Sequence, residues 1–301
     1  MKSPYDLIDP RQNFFTLGIL PNHNYRFILA RNTAVAREVG RQHNASLPVT
    51  ALFGEVMLGA FFLSTHSGKQ EETTISLHIE CQEPINRVIG FAKSSGGMRA
   101  HATHPEALWD GALRVGRGSG LLRVNRWVQN TKQIYSSAIE MRDVDLDKNL
   151  EEFIGRSEQI QSFLKISTNF SSIESLQVSG YLFQAMPGAS ADDTDAVLDI
   201  IQRNSAEELI EEILSSGTEE KKDIKKGSDF LNASVLRTGQ FFFYCDCSRE
   251  KIAHLIRGMD ATYLESILEE HGFFEATCEF CKKSYRFTPE QVQNLHREEG
   301  G

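Results

Sequence analysis

Apolar positions recur along this chain with two periods, and each period predicts an element. Leu52, Phe53, Val56, Met57, Ala60 and Phe61 return every three or four residues. Pro48 is placed for a first helical turn and Gly68 lies beyond the end, so a helix is predicted here. The pattern then switches. Ile75, Leu77, Ile79 and Cys81 alternate with Thr74, Ser76, His78 and Glu80, the period of a half-buried strand. Cys81 shares the apolar side and is expected to be a buried, inert small hydrophobe. Further strands are predicted near 85–91, 98–103, 113–115, 121–128, 134–141, 163–166 and 178–186. A helix over 146–155 carries Leu146, Leu150, Phe153 and Ile154 on one face. The implied class is α+β, a mostly antiparallel sheet packed with helices.

After Met186-Pro-Gly-Ala-Ser190 the pattern becomes helical over 192–214, where Ser205 and Glu208 form a capping box. Residues 215–229 hold a single apolar side chain, Ile224, with four lysines against four acids, so a solvated linker is expected. An aromatic, strand-like run follows at 241–244. Beyond it the helix punctuation is clear. Ser248 can cap a helix bearing Ile252, Leu255 and Ile256 that stops at Gly258. Asp260 can cap one bearing Leu264, Ile267 and Leu268 that stops at Gly272, and Thr288-Pro289-Glu290-Gln291 opens a last short helix. The expected domains are an N-terminal α+β core at 1–189, a helical segment with flexible linker at 190–243, and a small C-terminal α+β domain at 244–301.

Composition narrows the function. The 301 residues carry a net charge of −9 and a pI near 5.5, which argues against a nucleic-acid binder and against docking on anionic lipid. The longest apolar run, 51–64, is broken by Glu55 and is shorter than the roughly 18 residues of a membrane span, so it reads as a core helix. The N-terminal MKSPYDLIDPRQ has no apolar h-region, so no secretory signal is expected and the location implied is the cytoplasm, where thiols stay reduced. Gly116-x-Gly118-x-Gly120 fails the GxGxxG pattern, since position 121 is Leu, and it lies between two strand-like runs, so a hairpin turn is expected. With no phosphate loop, GxSxG or HExxH, neither nucleotide use nor enzymatic activity is expected.

The chemistry concentrates in four of the five cysteines, Cys245, Cys247, Cys278 and Cys281. Zn²⁺ takes four soft ligands in a tetrahedron, and two close Cys pairs supply them. The spacing Cys278-x-x-Cys281 between strand-like 275–277 and 285–287 suggests a zinc knuckle. A segment this small sits near the size limit of an autonomous core, so one structural zinc would carry its folding. His254 and His271 are surplus to four cysteines and are expected to be exposed, as is the pair His101 and His104. Two other functions compete for the same cysteines. A zinc-finger nucleic-acid binder needs a basic module, yet 245–301 hold seven Lys/Arg against eleven Asp/Glu. A thiol oxidoreductase would place Cys278 at a helix N-terminus, whereas here it follows a strand-like stretch.

With these residues in view, the chain resembles the 33 kDa chaperonin family, the bacterial redox-regulated heat-shock holdases. The resemblance runs in order through GEVMLGAFFLST (54–65), MRAHA (98–102), RSEQI (156–160), GYLFQAMPGA (180–189), CDCSRE (245–250), EEHG (269–272) and CEFCKKSYRF (278–287). It implies zinc on Cys245, Cys247, Cys278 and Cys281 in a reduced, inactive state. It further implies that oxidation forms the disulfides Cys245–Cys247 and Cys278–Cys281, releases zinc, and unfolds the C-terminal part. The activated form, typically a homodimer, would hold unfolding proteins under stress without ATP. The chain departs from the family at Gln161, where Pro is favoured, at Arg126-Trp127, where small or acidic residues are usual, and in the polarity of its linker.

Overall fold

The computed structural model describes residues 12–65, 72–81, 84–108, 120–129, 133–143, 145–216 and 233–297. The chain divides into two compact units, residues 1–243 and 244–301.

Two sheets frame the first unit. One is made of β1 (Asn13–Leu20), β2 (Tyr25–Asn32), β8 (Ser162–Asn169), β9 (Gln177–Ala185) and β10 (Ser234–Gln240), in the order β10-β1-β2-β9-β8 with every neighbour antiparallel. The other is made of β3 (Thr73–Glu80), β4 (Arg87–Lys93), β5 (Gly97–Ala102), β6 (Gly120–Val128), β7 (Ile134–Met141) and the two-residue β11 (Phe242–Phe243), in the order β11-β5-β4-β3-β6-β7. Its strands are antiparallel except where β11 meets β5.

Helix α2 (Leu47–Ser64) lies between the sheets. It is apolar all round rather than striped, which is what burial on every side selects. It is also long and apolar enough to cross a membrane, but most of it is buried in this unit, which is the expected core helix. Ser46 accepts a hydrogen bond from the Val49 N–H at its start, with Pro48 in the first turn. Gly90 of β4 lets the helix approach, since a Cβ there would lie 2.7 Å from the Val56 carbonyl oxygen. The aromatic rings of Phe15, Phe61 and Phe241 meet at 4.7–5.1 Å and close one end of this core. Helices α1 (Thr33–Gln42) and α3 (Leu146–Glu158) pack beside α2.

The opposite face of the five-stranded sheet is covered by α4 (Ala191–Arg203) and α5 (Ala206–Ser216). Val197, Ile200, Leu209 and Ile210 pack on Tyr25, Phe27, Tyr181 and Phe183. Both helices start on capping boxes, Ser190 with Asp193 and Ser205 with Glu208. Arg31 of β2 ties α5 down through Glu207 and Glu211. Residues 190–243 thus supply α4, α5, β10 and β11 to this unit, while 217–232, most of the expected linker, lie outside the described residues. The expected strand at 113–115, Gly68, Gly116 and Gly118 also lie outside them.

The α+β class is as expected, and several sequence details hold to within a residue or two. Three findings differ. β1, β2, α1 and β10 were not predicted. His101 is buried at 9 % exposure because its side of β5 meets the end of α1, where its ring lies 5.8 Å from that of His43; it is not the surface residue expected. Cys81 sits just past β3, half-buried against the core rather than fully inside it.

The second unit comprises α6 (Arg249–Arg257), α7 (Ala261–His271), the hairpin of β12 (Phe274–Thr277) and β13 (Ser284–Phe287), and α8 (Pro289–Arg297). Ile256, Leu264, Phe274, Tyr285, Phe287 and Val292 form its core. Ser248 and Asp260 cap α6 and α7 as expected, Gly272 ends α7 at φ +74, and Thr288 with Gln291 caps α8.

Candidate metal centre

Local structure within the second unit carries the four sulfurs to one place. Cys245 and Cys247 lie on the extended approach to α6, held where Ser248 Oγ accepts from the Lys251 N–H at the helix start. Cys278 follows β12 directly. Its N–H donates to the Lys283 carbonyl at 3.0 Å, and its carbonyl accepts from the Lys282 N–H at 2.9 Å. Lys282 takes a left-handed φ of 59° to close that turn, which brings Cys281 back beside Cys278.

The four Sγ atoms all lie within 4.8 Å of one another. Cys245 and Cys278 are 3.7 Å apart, and Cys247 and Cys281 are 3.2 Å apart. Sulfurs bonded at about 2.3 Å to one tetrahedral Zn²⁺ would be about 3.8 Å apart, so the set fits a single ion of that size. Four close cysteines that could hold a metal ion are therefore present.

A buried neighbour that the sequence did not single out completes the site. Tyr285 of β13 donates its hydroxyl to the Cys247 carbonyl and sulfur, both at 3.1 Å. Burial pushes the Cys247 thiol up, but the bonds from Tyr285 and the neighbouring cysteines outweigh it and bring the thiol down to about 7. Cys281 is pushed up, by burial first, although the Lys283 N–H favours its thiolate. A sulfur that accepts hydrogen bonds is stabilised as the thiolate a metal requires. The signal for Tyr285 was its place in the β13 alternation, where Tyr285 and Phe287 face inward.

His254 and His271 are exposed on their helices, as expected. Cys81 belongs to the first unit, and burial pushes its thiol up to about 11, which keeps it protonated and unreactive. Cys81→Ser should cost about 1 kcal/mol or more by burying a hydroxyl beside the core. It should leave metal content and thiol oxidation of the second unit unchanged. Metal analysis and thiol titration of the folded variant check this, and altered metal content would contradict it.

The departure at Arg126-Trp127 is accommodated on β6. Arg126 donates to Glu158 of the RSEQI stretch at 2.8 Å, and Trp127 stacks on Phe91 with ring centroids 6.1 Å apart.

Comparison with known proteins finds relatives over most of the chain. A 33 kDa chaperonin of Thermus thermophilus is 26 % identical over 295 residues, covering 92 % of this chain and 85 % of that protein. One of Bacillus subtilis (strain 168) is 25 % identical over 277 residues, covering 90 % and 93 %. The crystal structure of the 33 kDa chaperonin of Thermotoga maritima shares the fold, with a TM-score of 0.78 at 22 % identity, covering 96 % of this chain and 99 % of that one. The family model described as Hsp33 protein matches residues 15–288, and the chain belongs to that family.

Proposed function

We propose that this protein is a redox-regulated, ATP-independent chaperone that holds unfolding proteins. The observation that carries the reading is the set of four mutually close sulfurs inside a unit with a small apolar core, in a chain of the Hsp33 family. Residues 1–189 would form the chaperone core, 190–243 the connecting segment and 244–301 the switch. Cys245, Cys247, Cys278 and Cys281 would hold one zinc ion, which, when bound, ties the approach to α6 to the β12–β13 turn and favours the thiolate form.

Oxidation withdraws that ligand set. Two thiolates give up two electrons and form one S–S bond. A peroxide accepts the pair, its O–O bond breaks, and with two protons each oxygen leaves as water. Two such events consume all four sulfurs. Mutual proximity in the folded unit does not choose the partners, since all four lie within 4.8 Å. The pairing of Cys245 with Cys247 and of Cys278 with Cys281 is the one that resemblance to the family implies. The oxidised form would act as a homodimer in the cytoplasm, with no nucleotide and no nucleic acid.

No specific observation favours a thiol oxidoreductase, because Cys278 follows β12 rather than opening a helix. The test is zinc content together with light scattering of a heat-unfolding client. Reduced protein should carry one zinc and suppress scattering poorly. Peroxide-treated protein should be zinc-free and suppress it well, and dithiol plus zinc should reverse both. Equal suppression by the two forms would overturn redox gating, and none by either would overturn the chaperone reading.

A further inference from the structure

Among the described residues the two sheets leave four outer strands in the first unit, and three of them carry a feature that hinders further pairing. β11 is only two residues long. β8 is covered by α3, whose Glu151 carboxylate accepts the Leu164 N–H at 2.6 Å and whose Asp147 pairs with Lys165 at 2.8 Å. β10 carries Arg237, which lies over the Phe15 ring, and its pairing with β1 is broken by a register shift at Leu17/Gly18. Short length, a covering helix, charge and a bulge are the usual devices that protect a sheet edge.

β7 has none of them from Ile134 to Ile139. Its eight residues, IYSSAIEM, pair with β6 without a break from Gly120↔Met141 to Trp127↔Ile134. It contains no Lys, Arg or Pro, its single charge is Glu140 near the far end, and no described strand pairs with its outer side. Its first five residues are exposed on both faces, with Ile134 at 58 % and Tyr135 at 55 %. A long, regular edge that is uncharged over most of its length is a template for another strand.

We propose that the outer edge of β7 receives an extended segment of an unfolded client as an added strand; this deepens, and rests on, the holdase reading above. The chemistry of the edge selects that occupant. Recognition by strand addition runs through main-chain N–H and C=O groups, which every unfolded chain carries. Ile134, Tyr135, Ser136, Ser137 and Ala138 set no charge against the incoming side chains, so the site tolerates sequence while its apolar members favour apolar segments. A second copy of this chain is the weaker occupant. One edge strand is a narrow ribbon, whereas a stable interface buries roughly 800 Å² per partner.

The experiment uses the full-length oxidised protein and, as unfolded probe, reduced carboxymethylated α-lactalbumin. Backbone hydrogen exchange of 134–141 should slow by about tenfold or more when the probe binds, as new strand hydrogen bonds form. A Ser136→Lys/Ala138→Lys variant places charge on exposed edge positions without touching the core. It should bind the probe at least about tenfold more weakly, equivalent to one or two net backbone hydrogen bonds. Its zinc content when reduced and its circular dichroism should match the parent. Undiminished binding by this variant, or unchanged exchange at 134–141 while the parent binds, would overturn the edge assignment and leave the chaperone reading standing. Exchange at 134–141 that slows with protein concentration alone would also overturn it, by assigning the edge to a second copy. A parent that binds no probe in either redox state would instead overturn the chaperone reading itself.

Discussion

Removing the metal from the reduced protein should unfold residues 244–301 while leaving the first unit folded. The second unit is held by six buried apolar side chains among its described residues. Its helices, α6, α7 and α8, have nine, eleven and nine residues. Helices below about 12–15 residues are marginal without tertiary support. Its hairpin strands have four residues each, also too little to stand alone. Zinc bound at four thiolates contributes on the order of 10–16 kcal/mol of folding free energy in modules of this kind, more than the whole net stability of many small domains. The first unit has its own core of two sheets around α2 and depends on none of these sulfurs. Chelation, peroxide or Cys247→Ser should therefore abolish hydrogen-exchange protection across 249–297 and leave protection in α2 and its flanking strands. Trp127 lies on β6 of the first unit, so its fluorescence should stay native. Reduced protein free of metal, or a Cys247→Ser variant with full metal content and protection, would sink this. Uniform loss of protection would mean general denaturation instead of a switch.

The second unit was the more legible of the two, and the reason is physical. Its signals are local: caps at Ser248 and Asp260, a left-handed Gly272, and cysteines whose spacing alone suggests a site. β3 was also readable from its strict alternation, and α2 from its length and its apolar residues at helical spacing, interrupted only by Glu55. β1 and β2 were missed because α2 packs on one face of their sheet and α4 and α5 on the other. Burial on both faces erases the alternation by which a strand is recognised; NFFTLGIL and YRFILARN are apolar on both sides. α1 was missed although Val35, Ala36, Val39 and Gly40 recur at helical spacing opposite Arg37, Glu38 and Arg41, so its amphipathic signal was present in the sequence. β10 joins β1 from more than two hundred residues away and exposes nearly all its side chains, so nothing local marks it. Tyr285 escaped notice as a partner of Cys247 because that contact spans 38 residues.

Glu55→Gln should stabilise the first unit above neutral pH and remove one component of its pH dependence. Glu55 interrupts the apolar sequence of α2 and is half-buried against Thr168 of β8, in a cleft shared with Asp145, Asp147 and Lys165. Burial raises its carboxyl from 4.5 to about 7, since the charged form loses water that the protein replaces only in part. Thr168 donates to Glu55 Oε1 at 2.6 Å and opposes the shift, as does Lys165, while Asp147 and Asp145 of the α3 start add to it. Lys165 is itself engaged at 2.8 Å by Asp147, so it does not neutralise Glu55 alone. A folded pKa above the unfolded one means that the folded state holds the proton more tightly. Stability from this group is complete below about pH 4.5, declines as pH rises, and is lost above about pH 7. A shift of about 2.5 units corresponds to roughly 3 kcal/mol at the upper end. Glutamine keeps an oxygen to accept from Thr168 but never ionises, so the variant should exceed the parent by roughly that amount at pH 8 and by nearly nothing at pH 4.5. Urea unfolding followed by tryptophan fluorescence reads this unit alone. Other carboxylates, among them Glu72 and Asp193, are lowered by their hydrogen bonds and change stability with the opposite sign in acid. Parent minus variant cancels their contribution. A difference that stays flat from pH 4.5 to 8, or that grows towards acid, would show that Glu55 is ionised throughout and that its cavity is solvated.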